Sequence, residues 1–142
     1  MATLANSVHR NYAIGDLEEY PVVASDVIYE GAAVGENASG YSRPLVAGDP
    51  FQGFALATVD NSAGAAGAAY VNVRVRGKVV IPVTGASAVT ANDKPAVYAS
   101  DDNTFTLTST NNSLIGYVSR WISGTNCVVS FDADIVKAAL HV

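Results

Sequence analysis

Cysteine, histidine, methionine and tryptophan are almost missing from this chain. Of 142 residues, one is Cys, two are His, one is Met and one is Trp. A single thiol, Cys127, excludes an intrachain disulfide framework, and one thiol with two histidines leaves too few ligands for a structural zinc site. Charge is scarce as well: 15% of the residues are charged, against about 25% in an ordinary soluble domain. Eight bases stand against thirteen acids, for a net charge of -5. So few Lys and Arg exclude a general nucleic-acid binder, which neutralises phosphates with clustered cations. No stretch approaches the ~20 apolar residues that span a bilayer, and the first ten residues lack the basic start and apolar run of a signal peptide. The expectation is a soluble protein made and kept inside a cell until something releases it, with no nucleic acid and no membrane among its partners.

What is present is Val and Ala, which dominate the 49% hydrophobic content and are cut at short intervals by Gly, Asn, Asp and Ser. β-Branched side chains suit a pleated surface, and Gly and Asx residues supply the turns between strands. The length predicts one domain, able to hide roughly 70% of its unfolded surface without a staple. The clearest strand runs from Tyr70 to Val83, where Val71, Val73 and Val75 alternate with Asn72, Arg74 and Arg76. Gly77 and Pro82 interrupt it, which places Val79 to Val83 at an edge or past a bend. Further strands are predicted over 22–29, 32–34, 44–46, 53–59, 96–99, 104–108, 114–121 and 127–131, with a hairpin turning at Asp101, Asp102 and Asn103. Segments about ten residues apart, with turn signals between them, predict an all-β fold, a single compact β-sandwich or barrel over 21–142. One short C-terminal helix is expected through Ile135, Val136, Ala139 and Leu140, capped by Asp134. Residues 1–20 show no clear period and are read as an extended N-terminal arm, poorly fixed in the free protein. Asn61 to Ala69, nearly all Ala and Gly with one Ser, is read as a loop that is mobile or ordered by a partner.

A search for chemistry finds little. Nucleophile elbow, phosphate loop, dinucleotide-binding glycines and the two-histidine zinc motif are all lacking. His9 and His141 lie near opposite ends of the chain, poorly placed to be held at a reacting proton. Asp101 with Asp102, and Asp132 with Asp134, are better explained as a turn and as a strand end with a helix cap than as parts of a calcium site. Cys127 lies in an apolar run with no cation nearby in sequence, as a buried inert thiol would. No catalytic, metal or cofactor-binding residue is assigned. The feature with most promise is the row Arg74, Arg76 and Lys78, which alternation puts on one strand face within about 14 Å, suited to an acidic partner surface or the acidic arm of a neighbouring copy.

Four stretches carry a family likeness: Val27 to Gly35 (VIYEGAAVG), Leu45 to Ala55 (LVAGDPFQGFA), Val73 to Val79 (VRVRGKV), and Ala96 to Thr106 (AVYASDDNTFT) running on to Ile115 to Val118 (IGYV). Together the region from Tyr29 to Asp132 resembles the small capsid cement, or head decoration, proteins of tailed bacteriophages. The resemblance implies a jelly-roll or tulip-like β fold without catalytic residues or cofactors. It implies a structural protein of the virion exterior, made in the host cytoplasm, that clamps neighbouring major capsid protein subunits. Its partners would be the major capsid protein and itself, as a homodimer or homotrimer. The expected capsid or inter-copy contacts are Asp16, Glu18, Glu19 and Tyr20 of the arm, Ala65 and Ala66 of the loop, and Arg74, Arg76 and Lys78 of the strand. A different class of function is a β-sandwich module binding carbohydrate or a host surface, with Trp121, Tyr41 or Tyr117 as a sugar platform. A hydrolase lacks a base and nucleophile pair.

Overall fold

The alternation of Val71, Val73 and Val75 with polar residues has a direct structural outcome: all three valines are fully buried, and Asn72, Arg74 and Arg76 face outwards. They do not lie in one strand, however. A computed structural model describes residues 5–7, 9–10 and 15–139, with twelve strands: β1 (Leu17–Pro21), β2 (Asp26–Ile28), β3 (Ala33–Glu36), β4 (Ser42–Pro44), β5 (Phe51–Ala55), β6 (Val59–Asn61), β7 (Tyr70–Arg74), β8 (Arg76–Pro82), β9 (Ala96–Ala99), β10 (Phe105–Thr106), β11 (Ser113–Ser123) and β12 (Asn126–Asp132). A 3-10 turn spans Thr90–Asp93, and one helix, α1 (Ala133–Ala139), follows β12 directly. Val75 is where the chain leaves one sheet for the other.

The first sheet has the order β1-β7-β5-β3-β4 and the second the order β10-β9-β11-β12-β8, all antiparallel, with β2 and β6 forming a small third sheet. The sheets are therefore filled in succession: residues before Val75 build the first, and residues after it build the second. Their inner faces meet across the four phenylalanines of the chain. Phe54 from the first sheet packs edge-on against Phe131 of the second at 4.9 Å and lies 6.0 Å from Phe105, while Phe51 reaches Phe131 at 6.2 Å. Edge-to-face pairs of this kind contribute about 0.5–1.5 kcal/mol each beyond the area they bury. Valines and alanines from both sheets fill the rest of the core, and α1 packs against β5 and β11 through Val136.

The compact all-β class with one short C-terminal helix is as expected, and β9 matches the predicted 96–99 residue for residue. The Asp101 hairpin is present too: Asp101 Oδ1 accepts from the Asn103 amide, and Phe105 pairs with Ala99. As expected, β8 is an edge strand. Several boundaries differ for physical reasons. The run 22–29 shortens to β2 because Ser25 turns with φ +59°, and 53–59 splits into β5 and β6 around Leu56. The helix cap is Asp132, whose Oδ1 accepts from the Ile135 amide, whereas Asp134 sits in the first turn. Leu140 and His141 lie outside the described residues.

The arm expected over 1–20 is corrected at its end, since Leu17 to Tyr20 belong to β1 and register with β7 from Arg74 to Val71. As an edge strand with one neighbour, β1 has an exposed start and lacks the strict apolar alternation that marks a strand in sequence. Only Tyr20 of its first four residues packs against the core. The rest of that expectation falls on 1–4, 8 and 11–14, outside the described residues, and on 5–7 and 9–10, which form no strand or helix.

Candidate functional site

Val75, buried and belonging to neither sheet, organises a polar cluster. Its amide donates to the Asp16 carbonyl (2.9 Å), and its carbonyl accepts from the Ala133 amide (2.7 Å). The start of β1, the crossover between sheets and the start of α1 are thus joined through one residue. Side chains repeat the link: Arg74 Nη1 donates to Asp16 Oδ2 (3.1 Å), and Arg76 Nη2 donates to Asp134 Oδ2 (2.9 Å) with Asp132 Oδ2 at 3.9 Å from its Nε. All of these groups are partly exposed, so each ion pair is worth about 0–1 kcal/mol. Their effect is positional: they fix where the chain enters β1.

The knot brings together Asp16, Arg74 and Arg76 of the predicted contact residues and leaves the others apart. The expected row of three cations is corrected, because the crossover at Val75 puts Arg74 in the first sheet and Arg76 and Lys78 in the second. Both arginines are engaged by carboxylates of the chain itself. Lys78 stays exposed, in register with Ser130 and, across β12, with Tyr117. Glu18 and Glu19 are exposed on β1. Tyr20 lines a cleft of about 200 Å³ with Glu36, Gln52 and Lys137; burial raises its phenol pKa, and the nearby carboxylates of Glu18, Asp134 and Glu36 add to the shift.

Ala65 and Ala66 are exposed in the loop before β7, at the opposite end of β1 from the knot. Their loop is tied down. Gly67 donates to the Val22 carbonyl, Ser25 to that of Gly64, and Val22 to that of Ala69. Buried Asn61 closes it from inside, donating through Nδ2 to the carbonyls of Val23 and Ala65. An added Cβ at Gly64 would fall on Asn61 Oδ1, with Ala68 Cβ at 3.3 Å, so glycine at this position leaves the room that the Asn61 side chain occupies.

Two outer faces were only partly visible in sequence. On the first sheet, Leu17, Leu56, Ala57 and Asn72 line an open cleft of about 440 Å³ bordered by Glu18 and Glu19. On the second, Tyr117, Ile135 and Ser130 line a cleft of about 480 Å³ bordered by Arg76, Lys78 and Asp132. Val80 (61% exposed) and Ile135 (65%) are the most open large aliphatic groups along β8 and α1. Strand alternation carries the signal for Val80, but nothing local to Ile135 says which side of α1 the core would take.

The remaining candidates have structural explanations. Cys127 is buried and free, and burial pushes its thiol pKa up, away from nucleophilic character. Among the described residues no group of three Asp, Glu, His or Cys side chains could hold a metal ion, and no helix is long and apolar enough to cross a membrane. Trp121 Nε1 donates to the Gly124 carbonyl at the β11–β12 tip. Tyr41 lies in the β3–β4 turn of the first sheet, whereas Tyr117 and Trp121 lie on β11 of the second. No protein-family model, curated protein or solved structure matches this chain.

Proposed function

We propose that the protein is a structural component of a phage head that binds the outer surface of the assembled shell and clamps neighbouring major capsid protein subunits. The observation that carries this reading is the pair of broad, open sheet faces with apolar side chains at their centres and charge at their borders. Such faces suit contact with a protein surface better than enclosure of a small substrate. The knot at Val75 fixes where the chain enters β1, and so the point on the body from which contacts made by the preceding residues would start. The family resemblance lies mainly in body elements: its stretches cover β2, parts of β3 and β11, β5, the Val75 crossover and the β9–β10 hairpin. A clamp that binds the assembled lattice and not its separated subunits stabilises the lattice by linkage, and many weak contacts add up over a shell.

Deleting residues 2–15 tests this reading, because Asp16 and all of β1 remain. The truncated chain is expected to keep its β spectrum and thermal midpoint and to lose binding to undecorated phage heads in a co-sedimentation assay. Occupancy equal to that of the full chain would overturn the role given to the arm. Failure of the full chain to bind heads, with signal on a glycan array instead, would favour a carbohydrate-binding module.

A further inference from the structure

A helix of seven residues is too short to hold itself in water, so α1 (Ala133–Ala139) depends on what it touches. Its two ends are held differently. At the root, the Ala133 amide donates to the Val75 carbonyl, Asp132 Oδ1 accepts from the Ile135 amide, and Arg76 reaches both Asp132 and Asp134. Towards the far end, among the described residues, Lys137 Nζ donates to Glu36 Oε2 of β3, 101 positions away in sequence. Of residues 133–137, only Ala133 and Val136 are buried.

The seat beneath Lys137 is neither filled nor wholly apolar. The cleft of about 200 Å³ lies between α1 and the first sheet, with Asp134 and Lys137 on one side and Tyr20, Glu36 and Gln52 on the other. A second hollow, of about 60 Å³, adjoins Val136 and is lined by Pro50, Ser113 and Leu114. Phe51 borders both, so space adjoins α1 at Lys137 and again at Val136. Interiors are ordinarily close-packed, and a helix flanked by hollows lacks contacts that would hold it down. Below Lys137 the first sheet supplies its own polar chain: Ser42 Oγ donates to Gln52 Oε1, and Gln52 Nε2 donates to the same Glu36 oxygen at 3.5 Å. Glu36 is partly exposed, so it keeps a protein donor and gains water when Lys137 leaves it. No buried charge is stranded by the separation.

We propose that α1 is a strap, rooted at Asp132 to Asp134 and buckled by Lys137 to Glu36, which unwinds from its Lys137 end while both sheets stay paired. The buckle is half exposed, so it contributes little and is weakened by salt. The sheets do not need the strap, because β12 is paired on one side with β11 and on the other with β8. Open, α1 uncovers the end of the inner face, with Phe51 as an apolar floor beside the polar groups of Tyr20, Gln52 and Glu36. The strap thereby gates a cleft between the layers of the body. This inference does not rest on shell binding, and its test uses the full chain alone, so the two readings fail separately.

Amide hydrogen exchange followed by NMR tests it. Amides 137–139, which the helix protects, are expected to exchange at least about a hundredfold faster than those of the β11–β12 ladder and to respond little to mild urea, because local opening exposes little surface. Added salt should quicken their exchange about two- to fivefold. Glu36→Gln and Lys137→Met should each do the same without salt and remove the response to salt, while the ladder amides keep their rates. The inference is overturned if amides 137–139 exchange only at the rate of the ladder, if salt and both variants leave them unchanged, or if the variants quicken helix and ladder amides alike.

Discussion

The first and second sheets hold their shape by different means. Among the described residues, four of the five buried polar side chains, Ser42, Asp49, Gln52 and Asn61, belong to the first half, and only Ser113 to the second. The first sheet is made of short strands whose turns are fastened by side chains. Arg43 forks onto Asp49 through Nε and Nη2 (2.9 and 2.8 Å), the Val46 amide adds a third bond to that carboxylate, and Ser42 Oγ pairs with Gln52. The second sheet rests on the long β11–β12–β8 ladder, where main-chain bonds and apolar alternation suffice. Regular pairing spares a sheet from buried polar side chains, whereas frequent turns leave donors and acceptors that must be satisfied. The acid excess of the first half goes with this turn-rich construction, and the second half remains neutral.

The most severe test of that comparison places one methyl group in each sheet. A Cβ at Gly116 would lie 2.0 Å from the Ser130 carbonyl oxygen, and one at Gly53, which has φ +120°, would lie 2.3 Å from that of Arg74. Both neighbours are backbone and cannot swing away. Gly116→Ala and Gly53→Ala are each expected to cost about 3 kcal/mol or more, or to prevent folding. The phenylalanine cluster couples the sheets, so urea transitions followed by Trp121 fluorescence, which reports on β11, and by far-UV circular dichroism should coincide in native chain and variants. Separate transitions would show two independently stable halves.

A smaller effect is expected for Asp49→Ala, which leaves the Arg43 fork and the Val46 amide without their acceptor. The expected loss is about 2 kcal/mol, read as a shift in urea midpoint. A loss under about 0.5 kcal/mol would mean that side-chain fastening is not what holds the first sheet.

The smallest effect concerns Asp102 in the hairpin between β9 and β10. Burial raises its carboxyl pKa, and the adjacent Asp101 raises it further. With the folded pKa above the unfolded one, the native state holds more protons through the window between them, so this group's contribution to stability falls as pH rises through that window. Asp102→Asn should therefore raise stability at neutral pH by no more than about 0.5 kcal/mol for a partly exposed group, read as a small rise in thermal midpoint. The difference should vanish in acid below the usual carboxylate range. A variant less stable than the native chain at neutral pH would contradict this.

Legibility differed between the halves for the same reason that their construction does. In the second half, alternation is long enough to read directly: β9 has its predicted bounds, and β11 and β12 extend theirs by one or two residues at each end. In the first half, strands of three to five residues give period two little room to appear, so β1 was read as part of the arm, and the hydrogen bonds that close the Gly-rich loop left no local signal. The cation row shows the limit most clearly. Alternation correctly put Arg74 and Arg76 outside and Val75 inside, yet it could not reveal that the chain changes sheets between them. Asp16 and Asp134 are each 58 residues from the arginine they engage, a pairing that local pattern cannot contain.

Composition and alternation by themselves determined the all-β class, the buried valines, the Asp101 turn and the short terminal helix, because each depends on backbone preference or the burial of one face. The tertiary structure alone decided which sheet each strand joins, which charges neutralise each other and which stay exposed. Those outcomes depend on distances between groups far apart in the chain.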